Sequence, residues 1–314
     1  MEDQTIINPV TQSIENKIVN RSLTPTPYPY ISGMQLKADI MLGNLTLNTI
    51  DENNVVWVCT DIEGWWDHPE PQFQDLERGL GDGSYDVRGR YAARQLTLKG
   101  VFLTPDASYV QAARDKLVKA TDLVYKGDYL KVNEGPTKYS YVRLSGKPNI
   151  VTINARGRTE FSIGLRAADP IKYEWLGSGP DFYDGEDIQA KNISLGHSGT
   201  KTVINSGNTK VPVYIEVTGE ITATPANPAT IYNETRDELI EVVSTVDSVN
   251  TLTIDTYNRE VLYDPTPVGA RSMIGILAQW IYLDPGENII HFEDTSNPNS
   301  TAVCRVNFQS GWIA

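Results

Sequence analysis

The three histidines of this chain are the first residues to test for metal or acid–base chemistry. They are His68, His197 and His291, and they form neither an HExxH pattern nor any other paired-histidine spacing. The two cysteines, Cys59 and Cys304, lie far apart in apolar surroundings, where a free thiol is typically a small buried hydrophobe. Two such thiols make neither a disulfide framework nor a zinc site. We therefore predict no metal site and no cofactor.

The segment GHSGT (196–200) is the closest approach of this sequence to a nucleophile motif. It departs from the G-x-S-x-G elbow because Thr200 replaces the last glycine, and because no strand-to-helix turn is expected there. GLGDGS (79–84) lacks the lysine of a phosphate loop, and DGSYD (82–86) lacks the carboxylate spacing of a calcium loop. No catalytic residue is predicted, Ser198 included. A glycosidase or esterase is kept as an alternative, because the 40 acidic residues offer many carboxylate pairs.

Charge and hydropathy limit the classes of partner. A net charge of −13 without any basic run argues against a phosphate-binding surface, so no specific nucleic-acid binding is expected. No apolar run approaches the ~20 residues that span a bilayer, so no membrane insertion is expected. The N-terminal residues lack the basic and apolar regions of a signal peptide. The sequence predicts a protein made in a cytoplasm, and its 314 residues predict two domains.

Short strands and one helix are predicted in the first half. A helix is expected from about Asp106 to Val124, because apolar residues recur there at spacings of three and four. Thr104 or Asp106 would cap it, Gly127 would end it, and its apolar stripe would lie on the sheet. The strands are rich in branched residues and bounded by Gly, Asn or Asp; they are predicted at 36–42, 55–62, 94–103, 127–132, 138–146, 149–155 and 159–170.

The second half is predicted to be all β, with eight or nine short strands that suggest a sandwich or a jelly roll. WIYLDPGENIIHF (280–292) has the pattern of strand, tight turn, strand, in which Gly286 takes a positive φ. DELIEVVS (237–244) is predicted as a strand, with one helical turn as the alternative. Gly- and Asp-rich composition places a linker at 177–197.

Two segments have the composition of partner-binding regions. In the N-terminal arm, 1–33, prolines at alternate positions favour an extended chain. The polar insertion 63–93 has little periodicity, and a loop of this length usually has a function or a partner. It contains Trp65 and Trp66, whose rings would point to opposite faces in an extended chain. One ring would enter the core and the other would face a loop or a neighbouring subunit; a core role for both is the alternative. The predicted subunit-interface residues are Trp65, Trp66, Asp82, Tyr85 and Arg88.

Several aromatic residues suggest an alternative function in carbohydrate binding. They would stack on sugar rings if they shared an open face, although core packing is the competing interpretation for each of them. Binding of a host surface glycan is therefore an alternative prediction for the second half. The residues concerned are Trp175, Trp280, Trp312, Tyr257 and Tyr282.

An ordered series of segments resembles the distal tail proteins of long-tailed siphophages, in particular the minor tail proteins of phages that infect actinobacteria. In the first half the series is VVWVCTDIEGWWDHPEP, GDGSYDVRGRYAARQLTLKGVFLTPDASYVQAARDKL and TEFSIGLRAADPIKYEW. In the second half it is TVINSGNTKVPVYIEVTG, TLTIDTYNREVLY and WIYLDPGENIIHF, followed by a closing strand that ends in Trp312. The resemblance covers most of the chain beyond its first thirty residues.

The resemblance implies a mainly β fold with two domains. Residues 1–176 would form an N-terminal β-rich, ring-forming domain with one helix, residues 177–197 a linker, and residues 198–314 a C-terminal galectin-like β sandwich. The first domain would assemble as a ring, usually of six subunits, stacked on the last ring of the tail tube.

The resemblance also implies a function and its partners. The chain would be a structural virion protein of the tail tip, without enzymatic activity, that connects the tail tube to the baseplate. Its partners would be further copies of itself, the tail tube protein, the tail-associated hub protein and the tape measure protein. DNA would pass through the ring, and an acidic lumen would repel its phosphates.

Overall fold

The computed structural model describes residues 38–74, 76–79, 82, 84–153, 158–176, 191–264, 268–297 and 300–314. The predicted arm 1–33 and residues 177–190 of the predicted linker lie outside this range. The first fourteen strands are β1 (Ile40–Leu42), β2 (Leu45–Leu47), β3 (Thr49–Ile50), β4 (Val56–Glu63), β5 (Pro71–Gln72), β6 (Leu76–Glu77), β7 (Ser84–Tyr85), β8 (Arg90–Tyr91), β9 (Arg94–Leu103), β10 (Asp128–Asn133), β11 (Thr137–Leu144), β12 (Asn149–Thr152), β13 (Arg158–Ala167) and β14 (Lys172–Glu174).

The remaining strands confirm the prediction of a mainly β protein. They are β15 (Lys191–Gly196), β16 (Ser198–Asn205), β17 (Val211–Pro212), β18 (Tyr214–Thr218), β19 (Ala229–Asn233), β20 (Glu238–Val242), β21 (Leu252–Asp255), β22 (Glu260–Tyr263), β23 (Val268–Gly269), β24 (Tyr282–Leu283), β25 (Gly286–Asp294), β26 (Val303–Phe308) and β27 (Gly311–Trp312).

The chain forms two compact units, each made of separate segments. The first unit comprises Met1–Trp65, Gln95–Val132 and Tyr141–Ala167, and the second comprises Trp66–Arg94, Asn133–Ser140 and Ala168–Ala314. The domain boundaries at 177 and 198 stay a prediction. Strand β15 lies inside the predicted linker, where the sequence pattern indicated no strand.

The sheet of the first unit closes on itself. Its strand order is β2-β1-β10-β11-β13-β9-β4-β3, and β12 pairs with β13. Strands β2 and β3 stand at opposite ends of this order, yet only Asn48 separates them in the chain. The segment 45–50 therefore pairs with β1 through its first half and with β4 through its second half, as in a β-barrel.

Asn48 makes the corner between β2 and β3. Its backbone has φ 62°, a left-handed conformation that Asn tolerates better than most residues. Its side-chain amide donates to the carbonyl oxygen of Ala38 at 2.6 Å, and its amide oxygen accepts from the backbone N–H of Cys59 at 2.9 Å. One side chain thus replaces hydrogen bonds that the bend removes from the ladder.

The helix α1 spans Val110–Ala120 and follows a 3-10 turn at Ala107–Tyr109. Its buried side chains, Ala113 and Leu117, belong to the core of the first unit together with the apolar side chains of the sheet. This confirms that the helix lies on the sheet. Asp106, one of the two candidate caps, caps the 3-10 turn: its carboxylate accepts from the N–H of Ser108 at 2.8 Å. The helix α1 itself begins after Tyr109, which makes no side-chain cap.

The predicted end of the helix was wrong. It ends at Ala120, because Thr121 turns its hydroxyl back to the carbonyl oxygen of Leu117 at 3.0 Å and its backbone departs from helical geometry. Val124 is exposed and Gly127 lies at the start of the next strand region, so neither belongs to the helix.

The second unit contains two antiparallel sheets, with strand orders β15-β26-β18-β21-β22-β23 and β16-β25-β19-β20. Along β18, β19 and most of β25, buried residues alternate with half-buried or exposed ones, so each sheet buries one face, as in a β sandwich. The closer likeness to galectins stays a prediction. DELIEVVS contains β20, so the predicted strand is confirmed over the helical alternative.

The turn in WIYLDPGENIIHF is confirmed, since Gly286 has φ 92°. The strands on its two sides do not pair with each other. Strand β24 pairs with β17, whereas β25 pairs with β16 and β19. The turn therefore passes the chain from one sheet to another.

Candidate subunit interface

The described residues of the segment 66–94, which leave out 75, 80, 81 and 83, form an irregular β-hairpin in the second unit, which we call the aromatic hairpin. Strand β5 pairs with β8, and β6 pairs with β7 nearer the tip. The N–H of Ala92 also donates to the carbonyl oxygen of Glu70 at 2.8 Å. The sequence predicted a long loop here, because strands of two residues are too short to show any alternation.

Four aromatic side chains of the aromatic hairpin are exposed. The exposed fractions are 43% for Trp66, 68% for Phe73, 58% for Tyr85 and 47% for Tyr91. Exposed aromatic residues concentrated on one element are a common property of protein interfaces. Phe73 and Tyr91 were missed by the sequence analysis, although both are large aromatic residues in an otherwise polar insertion.

The two adjacent tryptophans differ in exposure, so a core role for both is excluded. Trp65 is fully buried in the core of the first unit, and Trp66 is exposed. Gly64 precedes them with φ 80°, and a Cβ there would lie 2.2 Å from the carbonyl oxygen of Gln95. A side chain at this position would therefore clash with the backbone. Of the two tryptophans, only Trp66 is available to a neighbouring subunit.

The other predicted interface residues all lie on the aromatic hairpin. Asp82, Tyr85 and Arg88 are exposed, and Tyr85 pairs across the hairpin with Leu76. The guanidinium of Arg78 lies 5.6 Å from the centre of the Tyr85 ring, which is within the range of a cation–π contact. Their role at an interface stays a prediction.

Arg94 fixes the base of the aromatic hairpin. Its buried guanidinium donates to the carbonyl oxygens of Asp67 at 2.8 Å, of Pro170 at 3.0 and 2.9 Å, and of Ile313. Burial lowers the pKa of Arg94, while the nearby carboxylates of Asp67 and Asp169 oppose that shift. Because Asp67 and Arg94 are at the two ends of the hairpin, this contact holds both ends in one place.

A second group of buried charges joins three segments of the second unit. Burial lowers the pKa of Lys172 to about 8; Glu134 raises it, and Arg94 and Lys138 lower it further. The ammonium of Lys138 lies 2.6 Å from Glu134 Oε2 and 4.9 Å from the centre of the Trp312 ring. Strand β14 pairs with β27 and with the start of β11. The charged side chains therefore have a structural role, which is to hold these three segments together.

The excess of negative charge lies in the second unit. The first unit contains 13 acidic and 14 basic residues, a net charge of +1, and the second contains 27 acidic and 13 basic residues, a net charge of −14. The total is the −13 of the whole chain. Charge therefore distinguishes the two units, a division that sequence order alone did not reveal, because the units are interleaved along the chain.

The candidate sugar-stacking residues do not share an open aromatic face. A cation covers one face of three of the rings: Arg271 lies 5.6 Å from the centre of Trp280, Lys210 lies 4.9 Å from that of Tyr282, and Lys138 covers Trp312. Trp175 packs edge-to-face on Tyr139, with ring centres 5.6 Å apart. Tyr257 is exposed.

A hydroxyl–imidazole–carboxylate arrangement occurs on the four-stranded sheet. Thr200 Oγ1 lies 2.8 Å from His291 Nδ1, and Glu234 Oε2 lies 2.8 Å from His291 Nε2. Thr200 and His291 are directly opposite each other in the β16–β25 pair, so the first contact is an ordinary cross-strand pair. The sequence analysis considered Ser198, and no local pattern could have indicated a contact across 91 residues.

Within the described residues, no three His, Cys, Asp or Glu side chains lie close enough together to hold a metal ion. No helix among these residues is long and apolar enough to cross a membrane.

Comparison with known proteins identifies the C-terminal part of the chain. Residues 206–312 match the siphovirus-type tail component, C-terminal domain. We call this part of the chain the tail-component domain, after the family domain that it resembles. The tail-component domain includes strands β17 to β27, and its assignment confirms the resemblance to siphophage distal tail proteins. No curated protein sequence matches the chain.

One solved structure extends the likeness of fold beyond the tail-component domain. The Dit protein of phage SPP1, described as a paradigm of the hub adsorption apparatus in phages that infect Gram-positive hosts, has a TM-score of 0.58 at 12% identity. The match covers 87% of this chain and 98% of that chain. At this identity the likeness establishes a shared fold. The phage P2 baseplate in its activated conformation with calcium matches with a TM-score of 0.33 at 9% identity, covering 86% and 97% of the two chains.

Proposed function

We propose that this chain is a structural hub protein of a siphophage tail tip, part of the ring that connects the tail tube to the baseplate. The observation that carries the proposal is the match of residues 206–312 to the tail-component domain. The fold shared with SPP1 Dit over 87% of the chain supports it. The aromatic hairpin supplies an exposed surface of the kind that assembly requires.

The proposed partners are further copies of this chain, in a ring of six, with the tail tube protein on one side and the tail-associated hub protein on the other. The tape measure protein and the passing DNA would contact the lumen. The role is non-enzymatic, and the virion tail tip is its place of action. Nothing in the chemistry of the Thr200–His291–Glu234 arrangement requires catalysis, since the hydroxyl lies on a flat strand and not on a sharp turn.

Glycan binding by the second half is the less supported function. Stacking on a sugar ring needs a free aromatic face, and cations lie over Trp280, Tyr282 and Trp312. A glycan ligand would have to displace these cations or use the opposite faces. The structural role needs no such change.

Cryo-electron microscopy of the intact virion tests the proposal. We expect a closed ring of this chain between the tail tube and the tail tip. Copies found only on peripheral fibres would contradict the hub role and favour adsorption to the host surface. Absence of the chain from purified virions would contradict both.

A further inference from the structure

Two arginines face each other on the outer surface of the first unit. Arg143 of β11 and Arg166 of β13 are directly opposite in the antiparallel pair, and both side chains are exposed. Like charges in this position destabilise a sheet. Neither arginine takes part in the ion pairs formed among the described residues. Among the described residues, therefore, no carboxylate neutralises the repulsion between the two arginines.

The surroundings leave the two guanidinium groups accessible. Leu144 and Leu165 form the next pair along the two strands, and side chains of successive pairs point to opposite faces. On the face of the arginines the next residues are Ser145 and Gly164, joined by a 2.9 Å hydrogen bond from the Ser145 N–H to the Gly164 carbonyl oxygen. Both are small, so no large side chain stands beside the arginines on this side. On the other side, Arg143 Nη1 donates to the carbonyl oxygen of Tyr125 at 3.3 Å, and the ring of Tyr125 is almost fully exposed.

A partner of matching charge is present in the same chain. The second unit carries a net charge of −14, while the first carries +1. In an assembly of identical copies, every copy brings such an acidic unit to its neighbours. Two guanidinium groups side by side suit carboxylates, which they can bind through paired N–H donors. Nucleic acid is less well matched, because its binding rests on many phosphate contacts and the first unit has nearly as many acidic as basic residues.

We propose that Arg143 and Arg166 form a contact between copies, in which they bind carboxylates of the second unit of the neighbouring copy. This contact rests on the proposed ring and adds to it a specific surface and a specific partner. It also gives a reason why no carboxylate of the described residues forms an ion pair with these arginines: one placed there would neutralise the pair in the free chain and remove the attraction between copies.

Sedimentation velocity of the full chain, at about 50 mM and about 500 mM NaCl, tests the contact, because salt screens exposed charges. The wild-type chain should self-associate at the lower salt and dissociate at the higher. Arg166→Glu should weaken association about tenfold or more. Lys119→Glu is the matched control, since it makes the same change of charge at another exposed position of the first unit, and it should associate like the wild type.

Thermal unfolding of dilute, monomeric protein is a second measurement, in which we expect the substitution to stabilise the protein although it weakens association. Arg166→Glu should raise the unfolding midpoint, because Arg143 then faces a carboxylate in place of a cation. Lys119→Glu should not raise it. A variant that is more stable yet associates less cannot owe its defect to misfolding.

Several outcomes would overturn the inference. They are a wild-type chain that stays monomeric at both salt concentrations, an Arg166→Glu variant that associates like the wild type, or arginine-dependent association that requires an added DNA oligonucleotide. A ring seen in the virion, together with normal association of Arg166→Glu, would reject this contact and leave the proposed function intact. Absence of the ring from the virion would reject the proposed function itself.

Discussion

The carboxylate of Asp51 accepts four hydrogen bonds from different parts of the first unit. Its Oδ1 accepts from the N–H groups of Asn53 and Val55, and its Oδ2 accepts from Trp57 Nε1 and Lys116 Nζ, all at 3.0 Å. Burial raises the pKa of Asp51, but the hydrogen bonds outweigh it and lower the pKa below its ordinary value. The carboxylate thus joins the β3–β4 turn, the core tryptophan and the helix.

This pKa shift predicts a dependence of stability on pH. Because the folded pKa is depressed, the contribution of Asp51 is present above the unfolded pKa of about 3.9 and is lost as the pH falls through the folded pKa. Asp51→Asn should therefore cost about 1–3 kcal/mol at neutral pH, and the difference from wild type should shrink towards pH 2. Urea unfolding across this pH range measures it. A cost that stays constant with pH would contradict the role of the charge.

Asn48 offers a test at the corner between two strands. Asn48→Gly keeps the left-handed backbone accessible but removes the hydrogen bonds to Ala38 and Cys59, so we expect a loss of about 1–3 kcal/mol in unfolding free energy. Asn54→Gly is the matched control, because Asn54 has a similar φ of 57° and an exposed side chain. It should be close to neutral. Equal effects of the two substitutions would show that backbone conformation alone matters at the corner.

At the scale of elements, local sequence patterns predicted where the strands lie better than they predicted which strands pair with each other. The segments 94–103 and 159–170 were predicted as strands and contain most of β9 and β13, because the alternation that marks a half-buried strand is contained in the strand itself. Pairing is not local: Thr200 meets His291 across 91 residues. The helix was predicted too long, because spacing alone does not register a threonine that turns back on its own backbone.

At the candidate interface, too, features set by neighbouring residues were predicted, whereas those set by residues far apart in the sequence were not. Strand geometry predicted that the adjacent tryptophans point to opposite faces; they lie in a bend after β4, and one is buried while the other is exposed. The aromatic hairpin was not predicted, because its strands are only two residues long and its ends are joined by Arg94 to Pro170 and Ile313, which lie far away in the sequence.

The aromatic hairpin predicts a separable effect on assembly. The double substitution Phe73→Ser, Tyr85→Ser removes two exposed rings, so the unfolding free energy should change by less than about 0.5 kcal/mol. Incorporation into the tail tip should fall if the hairpin contacts a neighbour. The control is Val249→Ser with Leu277→Ser, which removes two exposed apolar side chains elsewhere in the second unit. Equal loss in both variants, measured by the amount of protein in purified virions, would argue against a specific hairpin contact.

At the scale of the whole molecule, each unit contains one thiol that reports on its own core. Cys59 belongs to the core of the first unit, where burial raises its pKa to about 12. Cys304 is fully buried in the second unit, and burial raises its pKa well above the ordinary value. Thiolates are the reactive species, so both side chains should resist alkylation while their units are folded.

Variants with a single thiol allow the unfolding of each unit to be measured separately. Cys304→Ala leaves Cys59 to report on the first unit, and Cys59→Ala leaves Cys304 to report on the second. In native buffer we expect slow alkylation of both thiols. Alkylation should accelerate only at denaturant concentrations that unfold the unit concerned, because a core thiol becomes exposed only when the core around it opens. The matching circular dichroism transition is the control. A thiol that reacts in native buffer as fast as in a short peptide would show that its unit opens locally, and the structure assigned to that core would then be wrong.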